Sequence, residues 1–227
     1  PARDLAAAFE AAAYLDLATA FATPIAPMLV LVSGLSGSGK STVAAAIGRA
    51  TGGTIFASDR VRKELAGLDP ADSSAAEWHE GIYTSDWTAR TYDRLLELAN
   101  AEMAHGRAAI VDATFLDNDQ LERFVAAARA HDMPAAIVWT ELDDAVARRR
   151  IERRAQERHS PSDATVAIRE RQQEQLRATP LLIPDGAIAV TIDTSRDGPA
   201  SLDSFFTALQ KRELIGTLRG ERTVIHA

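Results

Sequence analysis

Gly34-Leu35-Ser36-Gly37-Ser38-Gly39-Lys40-Ser41 has the residue types and spacing to hold a nucleoside triphosphate. It fits G-x-x-x-x-G-K-[ST], the P-loop pattern, between the apolar run Met28–Val32 and a helical pattern from Ser41 to Ala50. The glycines let backbone N–H groups turn inward around phosphate oxygens, and the following helix adds its positive end. Lys40 has the reach for the β- and γ-phosphates, and the Ser41 hydroxyl is a ligand for Mg²⁺. With Thr42 these residues form the expected ATP-binding set.

A donor loop needs an acceptor side. Asp59 follows the second expected strand, Thr54–Ala57, at the edge where open α/β sheets bind ligands. A carboxylate there takes or orients the proton of a hydroxyl. The alternative is that Asp59 caps the next helix, a task for which Ser58 alone suffices. Arg62, one turn on, faces the same way and offers a fork for an anionic group; the alternative is a solvated face shared with Lys63 and Glu64. Asp112 ends the third expected strand, with Thr114 beyond it. It is read either as a partner of Mg²⁺ or of a substrate hydroxyl, or as a turn carboxylate.

Arginines crowd positions 148–158, with Glu152 and Glu157 among them. Most must be solvated, but one or two could cover transferring phosphate. Arg150 and Arg154, four apart on one face, are the candidates. The break His159-Ser160-Pro161 makes 148–165 a candidate helical lid. The stretch 68–92, with Trp78, His79, Tyr83 and Trp87, is the expected acceptor cover, Tyr83 being its substrate-contact candidate. Packing over the sheet is the simpler role for the two tryptophans.

These residues must be positioned by alternating strands and helices. Strands are expected near 28–32, 54–57, 108–111, 135–139 and 187–192, with helices between them, which implies a parallel sheet covered on both faces. Ser58-Asp59, Asp117 with Gln120, and Ser162-Asp163 are the expected helix starts. Residues 2–22 read as an Ala-rich helix, broken by Thr23-Pro24-Ile25-Ala26-Pro27. The resulting division is 1–27 as N-terminal helix and linker, 28–212 as one domain, and 213–227 as a tail.

The whole chain narrows the classes. Its 227 residues suit one α/β domain with an added segment. A net charge of −7 argues against broad charge-driven binding to nucleic acid. The absence of cysteine excludes disulfides and thiolate metal sites. No run approaches the roughly 20 apolar residues of a membrane helix, and the N-terminus lacks a signal-type core. The expectation is a cytoplasmic protein without membrane partners. No N-K-x-D guanine reader is found, and Asp112 is followed by Ala113 rather than the water-polarising Glu of motor-type ATPases.

Four stretches together carry a resemblance. Ser33–Thr42, Ala57-Ser58-Asp59-Arg60-Val61-Arg62, Ile110-Val111-Asp112-Ala113-Thr114-Phe115 and Ser162-Asp163-Ala164-Thr165 resemble the P-loop kinase-like ATP-binding domain often fused behind an aminoglycoside-phosphotransferase-like domain. Less closely, the scheme is similar to polynucleotide 5′-kinase, gluconate kinase, chloramphenicol phosphotransferase and zeta toxins. The resemblance spans roughly 28–195. It implies a kinase-type P-loop NTPase fold with ATP and Mg²⁺. Asp59 then activates the hydroxyl, Arg62 contacts substrate phosphate, and Arg154, or its neighbours Arg153 or Arg158, serves as lid arginine. Arg60 departs from the polynucleotide-kinase pattern, which has a second acidic residue there. The helix 2–22 resembles the link of fused forms, so an upstream or partner domain is expected.

The expected function is an ATP- and Mg²⁺-dependent kinase of a small hydroxylated metabolite or antibiotic. Two alternatives stay open: an ATP-binding regulatory module, and a polynucleotide 5′-hydroxyl kinase, the latter less favoured by the charge.

Overall fold

The apolar run that opens the P-loop becomes the central strand of a sheet. In the computed structural model the described residues are 25–68, 84–156, 165–195 and 201–214, with positions 7, 8 and 11. Strands β1 (Leu29–Ser33), β2 (Thr54–Ala57), β3 (Ala109–Asp112), β4 (Ala135–Glu141) and β5 (Ile188–Asp193) form one sheet in the order β2-β3-β1-β4-β5. Every pairing is parallel. The interleaved helices are α1 (Lys40–Thr51), α2 (Ser58–Leu65), α3 (Ser85–Ala104), α4 (Asn118–Ala130), α5 (Asp144–Gln156), α6 (Val166–Ala178) and α7 (Asp203–Lys211).

β1 is buried at all five positions because helices lie on both faces, the usual condition of a parallel strand. Successive residues serve opposite faces. Val30 and Val32 pack with Val43 and Ile47 of α1 and Phe205 and Leu209 of α7. Leu29 and Leu31 pack with Val61 of α2, Leu95 of α3 and Leu121 and Phe124 of α4. This is the α/β architecture expected, with helices on both faces.

The register matters for function. Val32 pairs with Asp112, and Ala57 pairs with Asp112 on the other side. The carboxyl ends of β1, β3 and β2 therefore bring the P-loop, Asp112 and Asp59 to one edge of the sheet.

Helix starts only partly match expectation. Asp117 caps α4, accepting from the N–H groups of Asp119 and Gln120. The return half of a capping box is missing, because the Gln120 amide oxygen accepts from Arg123 instead. α2 is a correction. Its N-cap is Ala57 and no side chain caps it, so Ser58 and Asp59 are its first two helical residues. Thr165 caps α6 through the Ile168 N–H, whereas Ser162-Asp163 lie outside the described residues. Most of the expected 2–22 helix also lies outside them, as do Trp78, His79, Tyr83, Arg158, His159-Ser160-Pro161 and most of the tail. Among the described residues no helix is long and apolar enough to cross a membrane.

Candidate active site

The P-loop is built tight. Gly34 has φ +140°, and a Cβ there would meet both the Oγ1 and the carbonyl of Thr140 on β4. Gly37 has φ +78°, and a Cβ would lie 2.8 Å from Ile151 Cγ1 of α5. A side chain at Gly34 would press on strand backbone and one at Gly37 would force the Ile151 side chain to shift, and both φ values are strained for any residue but glycine. The loop is also tied by hydrogen bonds. Ser38 Oγ and Thr140 Oγ1 lie 2.5 Å apart, Thr140 Oγ1 donates to the Ser33 carbonyl, and Thr194 Oγ1 donates to the Ser38 carbonyl at 2.7 Å. The cradle is therefore preformed by β4 and by the chain after β5.

Lys40 begins α1 and donates from Nζ to the Leu35 carbonyl at 3.1 Å, curling over its own loop. Burial lowers its pKa, and the negative charges of Asp112 and Asp59 oppose that shift. Asp112 shows the converse. Burial raises its pKa, while Lys40, the Ser41 hydroxyl and Arg154 favour the ionised form. The electrostatics thus gather Lys40, Ser41, Asp59, Asp112 and Arg154 into one neighbourhood, joining residues that the sequence scatters over 115 positions (40 to 154).

Of the two readings for the face after Asp59, the solvated one falls. Arg62 and Lys63 do not form a solvated face: they are 6% and 1% exposed. Only Glu64 of that trio is exposed, paired with Arg60 at 2.9 Å. Arg62 lies near Tyr92, whose hydroxyl accepts from the Phe115 N–H at 2.9 Å and lies 3.3 Å from Thr114 Oγ1. Phe115 holds φ +48°, a left-handed conformation rare for such a residue. The Thr114 carbonyl in turn accepts from the Gly34 N–H. Tyr92 thereby braces the turn after Asp112 against the first glycine of the loop.

The two lid candidates separate. Arg154 acts on Lys40 and Asp112, whereas the Arg150 guanidinium donates to the Thr194 carbonyl at 2.7 Å. Arg150 thus supports the chain after β5, while Arg154 is the candidate whose charge reaches the residues of the loop. α5 meets the loop through Ile151 beside Gly37, and Arg150, one turn before Arg154, meets the chain after β5. Trp87 is half-buried and carries the Arg90 guanidinium 4.6 Å above its ring.

Several site residues escaped the sequence reading. Arg169 of α6, 3% exposed, donates from Nη1 to the Ser36 carbonyl, and the Gln172 side chain accepts from the Ser36 N–H. Asp144 binds Arg148, Arg169 and Gln173 together and is held at a pKa of about 2 by those hydrogen bonds, the Arg148 contact first. The only signal in the chain was an arginine one turn after a Thr cap, which many surface helices share.

Hard oxygen donors from Ser41 and Asp112, beside a cradle too narrow for any Cβ at Gly34 or Gly37, fit a triphosphate with its Mg²⁺. A family model described as an AAA domain matches residues 29–179. Among curated proteins, the uncharacterized protein Rv2004c of Mycobacterium tuberculosis is 29% identical over 132 residues, covering 58% of this chain and 26% of that protein. The chain thus spans about a quarter of the length of this relative. Among solved structures, a gluconokinase from Sinorhizobium meliloti 1021 superposes with TM-score 0.52 at 20% identity, covering 84% of this chain and 95% of that one. The Mycobacterium tuberculosis APS kinase CysC, in complex with AMPPNP and APS, gives TM-score 0.51 at 19% identity, covering 84% and 98%. These likenesses establish a kinase-type P-loop fold.

Proposed function

The chain belongs to this AAA domain family of P-loop proteins, and from that premise we propose that it is an ATP- and Mg²⁺-dependent kinase. It would transfer the γ-phosphoryl group to a hydroxyl of a small metabolite or antibiotic. The observation that carries the reading is the convergence of Lys40, Asp59, Asp112 and Arg154 at the mouth of the loop. A motor or switch needs no carboxylate opposite its lysine at the end of β2; a phosphotransferase does.

In this reading the N–H groups of the loop and Lys40 hold the β- and γ-phosphates. Lys40 exchanges the Leu35 carbonyl for phosphate oxygens. Ser41 and Asp112 would hold Mg²⁺, which supplies charge neutralisation on those oxygens. Asp59 receives the proton of the acceptor hydroxyl as its oxygen bonds to phosphorus. The bond to the bridging oxygen breaks, and ADP leaves with the electron pair. Arg154 stabilises the charge on the phosphoryl oxygens in flight. Arg62, shielded from water, orients the acceptor.

Residues 28–212 are the proposed catalytic unit, with 1–27 as the link to an upstream or partner domain. The preformed loop and the reported kinase neighbours support the donor half; the acceptor class rests on Asp59 and Arg62. The test is a screen of hydroxylated metabolites and antibiotics by ADP release, with Lys40→Ala as blank. Acceptor-dependent release above that blank is expected. Release that no acceptor stimulates would favour a regulatory nucleotide-binding role instead.

A further inference from the structure

Ser36 is gripped at both of its backbone polar groups by α6. Gln172 Oε1 accepts from the Ser36 N–H at 2.8 Å, and Arg169 Nη1 donates to the Ser36 carbonyl at 2.8 Å. The grip is anchored. Arg169 Nε donates to Asp144 Oδ1 at 2.9 Å, and Gln173 Nε2 donates to the same oxygen at 2.9 Å. Arg148 donates to Asp144 Oδ2 at 2.8 Å and to Glu170 at 2.9 Å. The guanidinium of Arg169 is therefore used twice, once toward the loop and once toward the start of α5, with its side chain only 4% exposed. A lysine lacks the two separated, coplanar nitrogens, Nε and Nη1, that serve these two directions.

The other loop amides divide into two groups. The Gly34 N–H donates to the Thr114 carbonyl, and the Ser38 N–H donates to the Leu35 carbonyl. Among the described residues, the N–H groups of Gly37, Gly39, Lys40 and Ser41 have no acceptor. The loop thus interleaves amides spent on its own scaffold, at Gly34, Ser36 and Ser38, with amides left for a ligand, the first of which, Gly37, directly follows Ser36.

We infer that Gln172 and Arg169 are positioning residues of the phosphate site: they immobilise the Ser36 peptide groups and so help present the unspent amides of Gly37, Gly39, Lys40 and Ser41 to the phosphates. They also make the loop and the base of the α5–α6 pair one mechanical unit, joined at Asp144. The inference rests on the nucleotide-binding reading above.

The test uses the full chain with three substitutions. Gln172→Leu leaves the Ser36 N–H without its acceptor, so its amide exchange should speed up and ATP affinity by calorimetry should fall about ten-fold, within the range for an orphaned buried donor. Gln172→Glu keeps an oxygen acceptor, and the Ser36 amide should remain protected. Arg169→Lys should weaken ATP binding in the same direction while the thermal midpoint reports any general loss of stability. If Gln172→Leu alters the thermal midpoint alone, with Ser36 exchange and ATP affinity as in wild type, the inference falls and the nucleotide reading stands. If wild type and Lys40→Ala bind ATP alike, the nucleotide reading falls and this inference with it.

Discussion

Lys40 and Asp112 oppose each other's burial: dry surroundings push each toward its neutral form, lowering the Lys40 pKa and raising that of Asp112, and each favours the charged form of the other. β1 and β3 set this relationship, since Val32 at the end of one pairs with Asp112 on the other. Removing the ammonium should therefore be felt twice. Lys40→Ala is expected to weaken ATP binding by at least about ten-fold, the scale of one charge-assisted contact. Lys40→Arg should not restore it, because a planar fork does not replace a point charge in a cradle this narrow. Calorimetric titration with ATP checks both.

Arg62 gives a prediction that separates the two halves of the site. It is 6% exposed and near Tyr92, and the proposed mechanism assigns it to the acceptor. Arg62→Lys is expected to raise the KM for an acceptor found in the screen while leaving the ATP affinity within about two-fold. Steady-state kinetics at saturating ATP measure the first, and titration with ATP the second. A variant that weakens ATP and acceptor equally would place Arg62 in the donor half.

Tyr92 is the brace of the turn after Asp112. Tyr92→Phe removes the acceptor of the Phe115 N–H, a buried hydrogen bond holding a left-handed residue. Denaturant unfolding should show a loss of about 1–3 kcal/mol, the usual cost of an orphaned buried donor. An unchanged unfolding free energy would mean that the turn holds itself.

Much of this architecture was legible in the chain. β1 could be found because a strand covered on both faces must be continuously apolar, and the P-loop because only glycine suits its close contacts. Asp59 and Asp112 could be placed because they follow short β-prone runs. The choice between a solvated and a covered face for Arg62 and Lys63 is not legible, since helical spacing reveals a face but not what covers it. Arg150 and Arg154 could be named as candidates from their spacing, but not told apart by it: four residues apart means one face, and only the structure shows Arg150 on the Thr194 carbonyl and Arg154 beside Asp112. The Ser36 clamp was invisible, because its partners are 133 and 136 residues away and their types are ordinary for a helix surface.

Asp144 carries the pH dependence. Its folded pKa of about 2 lies below the ordinary carboxylate value of about 4 because Arg148, Arg169 and Gln173 hold the ionised form. A depressed carboxylate contributes stability that is complete above the unfolded pKa and is lost as pH falls through the folded one. Wild type should therefore lose stability between about pH 4 and pH 2 more steeply than Asp144→Asn. Because the Asp144 side chain is partly exposed, the difference should shrink in high salt. Equal slopes for the two proteins would show that the cluster adds nothing to acid sensitivity.

The most direct measurement is acceptor-dependent phosphoryl transfer by Asp59→Asn, followed by ADP release alongside ATP affinity. The substitution keeps the shape of the side chain and removes its capacity to take a proton. Transfer should fall by at least about 100-fold, the usual contribution of a positioned general base, with ATP affinity nearly unchanged. Transfer at the wild-type rate in Asp59→Asn would contradict the account, because the carboxylate at the end of β2 would then have no part in the chemistry.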